Sequence, residues 1–118
     1  MSYIHGFLLP VPETNREAYR EMAELGATIF KSHGALAVVE TWGEDVPDGK
    51  VTSFPMAVKL EENERVVFSW IVWPDKETAE IGMKKSMEDE RMNAYGPDNM
   101  PFDGMRMMWG GFTTLVEA

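Results

Sequence analysis

The sequence predicts one α+β domain in which the elements follow in the order strand, helix, strand, strand, helix, strand, with one extra excursion of the chain in the middle hairpin. Three observations predict it: two amphipathic segments with helical spacing, several short apolar segments bounded by turn residues, and a length of 118 residues that suits one domain. This order is the split βαβ pattern of ferredoxin-like folds, in which two helices cover one face of an antiparallel sheet. Residues 1–118 are therefore expected to form a single domain.

Two helices are predicted from apolar residues that recur at spacings of three and four. The first is expected over residues 15–33, with Thr14 or Asn15 as its N-cap and Gly34 as its stop. The second is expected to begin after Asp75, which is its predicted cap. Its apolar face is predicted to consist of Ala79, Gly82, Met83, Ser86 and Met87.

The strands are predicted from short apolar segments. These are Tyr3–Leu9, Leu36–Trp42, Val51–Leu60, Val66–Trp73 and Met105–Val116. The third and fourth of them flank the turn 61–64 and are predicted to form a hairpin. Residues 91–104 contain two prolines and two glycines, which predicts a loop. The stretch Gly43–Lys50 is polar and rich in turn residues, and its composition does not indicate a role.

Composition excludes several classes of function. The chain has no cysteine, so disulfides, thiolate nucleophiles and cysteine-held metals are excluded. Twenty acidic and eleven basic residues give a net charge of −9, which repels nucleic acid and anionic membranes. The start of the chain lacks the features of a signal peptide, and no window resembles a membrane span. A cytoplasmic protein without nucleic-acid or membrane partners is expected.

The strand patterns predict a homodimer. Val66–Trp73 is apolar at both of its alternating sets of positions, whereas a solvated sheet face would be polar at every second position. Phe7-Leu8-Leu9 and Met107-Met108-Trp109 show the same pattern. We therefore expect a second copy of the chain to cover the outer sheet face and close a barrel. In the alternative, the middle excursion of the chain folds over its own sheet.

Several stretches together carry a resemblance to a known family. They are Gly6-Phe7, Pro10-Val11-Pro12, Tyr19-Arg20, Gly34-Ala35-Leu36, Glu40 to Lys50, Phe68-Ser69-Trp70, Trp73-Pro74 and Met100 to Gly104. They resemble the bacterial family of unknown function DUF1428, within the dimeric α+β barrel superfamily. The resemblance implies a ferredoxin-like protomer and a barrel-forming homodimer. It implies no single activity, since the superfamily contains cofactor-free monooxygenases, haem-degrading enzymes, lactone isomerases and ligand-binding regulators.

His5 is the first candidate catalytic residue. Alternation on the first strand places Tyr3, His5, Phe7 and Leu9 on one face, and the smaller aliphatic set on the other face is expected to meet the helices. His5 would then point into the barrel, where an imidazole that titrates near neutrality serves as acid or base. The alternative is a hydrogen-bonded histidine of the core. His33 is expected to be structural, at the end of the first helix.

Arg106 is the second candidate catalytic residue, predicted on the last strand. In the functional interpretation it holds a carboxylate or an enolate oxygen of a ligand. In the structural one it forms an ion pair with Glu40 or Asp103. The residues predicted to bind a ligand are Tyr3, Glu40, Trp42, Trp70, Asp103 and Met108. The tryptophans have the alternative role of core and interface anchors.

The expected function is the binding of a small apolar or aromatic metabolite, with no cofactor and no metal. A monooxygenase-like or isomerase-like reaction, with His5 as acid or base and Arg106 stabilising negative charge, is the catalytic version of it. The alternative is a structural or interaction protein whose barrel is filled by its own side chains. The residues do not choose between binding and turnover.

Overall fold

Four strands form one antiparallel sheet in the computed structural model, which describes residues 1–118. The strands are β1 (Tyr3–Pro12), β2 (Ala37–Glu40), β3 (Glu64–Trp73) and β4 (Met108–Thr113). Their order across the sheet is β2-β3-β1-β4, and every neighbouring pair is antiparallel. This order, with β1 and β3 in the centre, confirms the predicted ferredoxin-like arrangement.

Two long helices and one short one connect the strands. They are α1 (Arg16–Ser32), α2 (Phe54–Ala57) and α3 (Lys76–Glu88), and single 3-10 turns occupy Glu13–Asn15, Glu90–Ala94 and Gly104–Arg106. Asp75 caps α3, as predicted, by accepting a hydrogen bond from the backbone amide of Thr78 at 2.7 Å. None of the helices is long and apolar enough to cross a membrane.

The core lies between the sheet and the helices α1 and α3. One buried cluster consists of Leu9, Val11, Tyr19 and Val67. The other consists of Ala35, Ile71, Trp73 and Ala79. Phe7 packs against both clusters from the middle of β1. The two clusters are therefore the two ends of one layer, and the space between them is bounded by the sheet on one side and the helices on the other.

The predicted orientation of β1 is wrong. Leu9 packs with Tyr19 of α1, and Tyr3 packs against the cluster that contains Ala79 of α3, so this set of β1 residues faces the helices. His5 alternates with them and shares that face. The smaller set lies on the outer face, where a Cβ atom on Gly6 would make an ordinary contact, at 3.5 Å, with the ring of Phe112.

The predicted hairpin is also wrong. Residues 51–60 do not form a strand, and the neighbour of β3 on that side of the sheet is β2. The side chain of Ser53 accepts a hydrogen bond from the amide of Met56 at 3.1 Å, and Pro55 occupies the first turn of α2. A serine cap followed by a first-turn proline favours a helix start, and a proline cannot donate to a strand ladder.

The outer face of the sheet is apolar and largely uncovered. Phe68, Met108 and Phe112 on this face are 44, 45 and 60% exposed. The excursion that contains α2 covers one end of the face, where Val58 is fully buried and the ring of Phe54 lies 5.9 Å from that of Phe68. The excursion therefore folds over part of its own sheet and leaves the rest of the face open.

Gly82 in α3 marks the closest approach between helix and sheet. A Cβ atom there would lie 2.3 Å from the ring of Trp73 and 2.6 Å from the carbonyl oxygen of His33. Gly82→Ala is expected to lower the free energy of unfolding by about 2 kcal/mol, because a buried indole and a backbone carbonyl cannot both move away. Urea denaturation measures the change.

Gly26→Ala, in the interior of α1, is the matched control. A Cβ atom at Gly26 would meet only the ring of Phe30, at an ordinary contact distance of 3.6 Å. The higher helix propensity of alanine is therefore expected to raise stability by up to about 1 kcal/mol. Equal effects of the two substitutions would contradict the close packing of α3 on Trp73.

Candidate functional site

A cavity of about 560 Å³ lies between the sheet and the helices. Its walls come from the four strands, from α1 and α3, and from the segment 92–107 that connects α3 to β4. Seventeen of its 20 lining residues are hydrophobic. Ligand pockets in proteins are mostly apolar and measure roughly 300–1,000 Å³, so this cavity has the size and character of one.

Methionines and aromatic residues make up most of the cavity wall. The methionines are Met22, Met83, Met87, Met92, Met100 and Met107. The aromatic residues are Phe7, Tyr19, Phe30, Tyr95, Phe102 and Trp109. Trp70 also borders the cavity, but its ring is on the outer face of the sheet, 5.1 Å from the ring of Phe68. Methionine is unbranched and polarisable, and its sulfur makes favourable contacts with aromatic rings. The wall therefore adapts to planar or irregular apolar groups.

The polar side chains of the wall meet at one place. The Tyr19 hydroxyl donates a hydrogen bond to Oε1 of Glu40 at 2.6 Å. Glu40 of β2 and Ser69 of β3 are directly opposite in the sheet, so both point toward α1, where Tyr19 is located. One carboxyl and two hydroxyls thus form a single polar spot, which we call the Glu40 spot, in an otherwise apolar cavity.

Burial is the main influence on the pKa of the Glu40 carboxyl and of the Tyr19 hydroxyl. It raises the pKa of Glu40 above its usual range, and the hydrogen bonds of Tyr19 and Ser69 oppose that increase. Burial, followed by the charge of Glu40, also raises the pKa of Tyr19. Glu40 is nevertheless a solvent-exposed residue at the end of β2, so the burial of its carboxyl is partial. No lysine, arginine or histidine lines the cavity, so the carboxyl has hydrogen-bond donors but no cation beside it.

His5 is buried next to this cavity and does not line it. Its Nδ1 accepts a hydrogen bond from the indole Nε1 of Trp73 at 3.0 Å, which leaves the ring proton on Nε2. The rings of Tyr3 and Trp109 contact it edge-on, at centroid distances of 5.6 and 6.1 Å. Burial lowers the pKa of His5 and keeps the imidazole neutral. These contacts match the alternative of a hydrogen-bonded core histidine, and an acid–base role for His5 stays a prediction.

Arg106 lies in the 3-10 turn before β4 and not in the strand where it was predicted. Its Nε donates to Asp103 at 2.9 Å, which is one of the two expected ion pairs. Glu64, and not Glu40, provides the second, at 2.8 and 2.7 Å from the two terminal nitrogens. One of these nitrogens also donates to the carbonyl of Lys59. The guanidinium is thus engaged away from the cavity, and the structure does not bring it near His5.

Two of the six predicted ligand-binding residues, Glu40 and Trp70, border the cavity, but the ring of Trp70 is turned to the outer sheet face. The other four do not: Tyr3 packs on His5, Trp42 lies under the guanidinium of Arg16, Asp103 pairs with Arg106, and Met108 is on the outer face. His33 is at the end of α1, where its Nε2 lies 2.9 Å from Asp89.

Sequence reasoning missed Tyr19 and Ser69. A signal existed for Ser69, which is the one polar residue in the apolar run from Val66 to Trp73. Tyr19 was visible only as a member of the apolar face of α1, because its hydroxyl partner, Glu40, is distant in sequence.

A comparison with solved structures shows the fold. The chain is similar to the structure of Rv0793 from Mycobacterium tuberculosis, with a TM-score of 0.59 and 12% sequence identity over 100% of this chain and 99% of that chain. That structure belongs to the dimeric α+β barrel family, and at this identity the likeness speaks for the ferredoxin-like fold alone.

Comparisons of sequence show the family. The chain is 54% identical over 117 residues to "Uncharacterized protein YbaA" of Escherichia coli strain K12, and the match covers 99% of each. The proteins of that name from Escherichia coli O157:H7 and Shigella flexneri match to the same extent. The family model described as "Protein of unknown function (DUF1428)" matches residues 2–104, and the chain therefore belongs to the DUF1428 family.

Proposed function

We propose that this protein binds a small apolar or aromatic metabolite in the cavity between its sheet and its helices. The observation that carries the proposal is the cavity of about 560 Å³ with its predominantly hydrophobic wall. Protein interiors are close-packed, and an apolar void lacks dispersion contacts that a ligand supplies. The alternative of a domain filled by its own side chains has no equivalent support, because the side chains leave this space open.

The Glu40 spot supports the same proposal. Pockets for small molecules combine apolar walls with a few polar groups that orient the ligand. Here Glu40, Tyr19 and Ser69 are grouped at one point of the wall. A ligand with one polar end therefore has one preferred orientation.

The wall supports binding more than turnover. A monooxygenase-like or isomerase-like reaction of an aromatic or keto compound develops negative charge on the substrate, which a cation or fixed donors must stabilise. Arg106 is committed to Glu64 and Asp103, and the donor nearest the Glu40 carboxyl, the Tyr19 hydroxyl, is already bonded to it. The reaction with His5 and Arg106 as catalytic residues stays a prediction without geometric support.

We propose in addition that two copies of the chain pair through the outer faces of their sheets. The exposed rings of Phe68 and Phe112 and the side chain of Met108 form an apolar patch of the kind that marks interaction surfaces. A two-fold axis lets the same patch cover itself. The likeness to a structure of the dimeric α+β barrel family agrees with this arrangement.

Filling the cavity tests the binding proposal. N-phenyl-1-naphthylamine, an uncharged probe that fluoresces in apolar sites, is expected to bind the wild-type protein. Ala23 of α1 lines the cavity, so Ala23→Phe is expected to weaken probe binding at least about tenfold by occupying that space. Fluorescence titration measures the affinity.

Ala18→Phe is the control, because Ala18 is on the exposed side of the same helix. It is expected to leave probe affinity unchanged. If circular dichroism shows that Ala23→Phe does not fold, Met92→Trp, at another lining position outside α1, replaces it. A wild-type protein that does not take up the probe, or a filled cavity that binds it equally well, would sink the proposal.

A pair of methionine substitutions tests the dimer. Met108 is on the outer sheet face, and Met105, three residues earlier, is 94% exposed in the turn before β4. Met108→Glu is expected to weaken dimerisation at least about 30-fold, because it buries a charge at the centre of the interface. Met105→Glu is expected to have no effect. Sedimentation velocity measures both, and a wild-type mass equal to the 13.4 kDa of one chain would overturn the dimer.

The charge of Glu40 gives a pH-dependent prediction. Because the folded protein raises the pKa of Glu40 above the usual 4.5, the charged carboxylate destabilises the fold at neutral pH, and this penalty disappears as the pH falls below the folded pKa. Glu40→Gln keeps an acceptor for Tyr19, so it is expected to be more stable than wild type at about pH 7 and to lose that advantage toward about pH 4.

Thermal unfolding of both proteins across this pH range measures the difference. Glu21→Gln removes the same charge from an exposed position on α1 and serves as the control. A constant difference between Glu40→Gln and wild type would mean that the burial of the carboxyl has no energetic effect.

A further inference from the structure

The carboxyl of Glu40 is the only carboxyl on the cavity wall, and it has no cationic partner. The pKa of this carboxyl is shifted by burial and by the hydroxyl groups of Tyr19 and Ser69, and by no charged residue. Arg106, the arginine predicted to pair with it, pairs with Glu64 instead. A carboxylate that its neighbours partly desolvate is less stable than one in water unless an opposite charge or sufficient donors compensate for it.

The two hydroxyls satisfy the carboxyl only in part. Tyr19 donates one hydrogen bond to Oε1, while an ionised carboxylate accepts up to about four hydrogen bonds through its two oxygens. The remaining acceptor capacity is open to water or to a polar group of a ligand in the cavity that Glu40 lines. An ammonium group is the complementary ligand end, because it brings both the missing positive charge and several donors.

The rest of the cavity fits the body of such a ligand. Aromatic faces attract cations as well as apolar groups, and rings of Tyr19, Phe102 and Trp109 are part of the wall. The Tyr19 and Phe102 rings are in edge contact at 5.9 Å. The methionines fill irregular outlines around an aliphatic or aromatic body.

The charge of the protein acts in the same direction. The net charge of −9 attracts cations to the surface and repels anions. Since the cavity wall contains no basic residue, a carboxylate or phosphate ligand would find no counter-charge inside and would face the Glu40 carboxyl. Acidic metabolites are therefore excluded by charge at both stages, approach and binding.

We propose that the ligand of this cavity is a hydrophobic amine, bound as its ammonium ion with Glu40 as the counter-ion. This assignment rests on the proposed binding function and specifies the class of molecule bound. Glu40 acts as a specificity-determining residue, and Tyr19 holds its carboxyl in place from α1.

Three ligands of one shape test the assignment. 1-Naphthylmethylamine, 1-naphthalenemethanol and 1-naphthylacetate share the same ring system and differ in the charge of the polar end. Isothermal titration at about pH 7 is expected to show the amine binding at least about tenfold more tightly than the alcohol, with the carboxylate weakest. An alcohol that binds as tightly as the amine would overturn the assignment, and so would a carboxylate that binds best.

Glu40→Gln isolates the charge. Glutamine retains the shape of the side chain and an acceptor for Tyr19, so the ratio of amine to alcohol affinity is expected to fall to near one. Glu21→Gln, which lowers the overall negative charge equally, is expected to leave that ratio as in wild type. A ratio that survives Glu40→Gln would show that Glu40 does not recognise the ammonium group.

The wild-type comparison needs no variant and is informative even if Glu40→Gln fails to fold. N-phenyl-1-naphthylamine separates the two levels of the proposal. If it binds and none of the three charged or polar ligands does, the amine assignment fails and the apolar binding site remains. If it does not bind either, both fail.

Discussion

The indole of Trp73 sets the distance between the sheet and the helices, and the cavity depends on that distance. Trp73 is fully buried at the end of β3, its ring meets α3 where Gly82 leaves no side chain, and its Nε1 is bonded to His5 of β1. The ring also approaches Gly34, at the turn after α1. One side chain thus joins two strands, the middle of α3 and the turn that follows α1. Contact at this end holds the layers together, and the space beyond it is bounded by Phe7 and the methionines.

The Glu40 spot depends on the sheet register in the same way. Glu40 and Ser69 are neighbours because β2 pairs with β3 so that these two residues are opposite, and a shift of β2 by one residue would turn Glu40 to the outer face. The fold accepts the cost of a carboxyl with a raised pKa at this position. A stability penalty that serves no packing purpose is characteristic of a binding site.

The parts of the structure that depend on local sequence were predictable, and those that depend on distant partners were not. Helical spacing located α1 to within a residue at each end, and the Asp75 cap located the start of α3. Alternation in β1 separated its two faces correctly but did not say which one meets the helices, so His5 was turned the wrong way. Of the two ion-pair partners of Arg106, Asp103 was predicted and Glu64 was not, because Asp103 is three residues away in sequence and Glu64 is forty-two. The cavity itself was out of reach, since its far wall is an irregular segment held by contacts such as the bond from Asn15 to the carbonyl of Pro101.

The six methionines of the wall have a consequence for selectivity. Each has an unbranched side chain with three rotatable bonds, so the wall conforms to its contents instead of imposing an outline on them. Branched side chains in the same places would distinguish ligands by shape, even two ligands that differ by one methyl group. Here the wall discriminates only weakly between ligand shapes, and the few polar atoms around Glu40 provide nearly all of the selectivity. Such a cavity sorts molecules by their polar end and accepts a range of hydrocarbon bodies behind it.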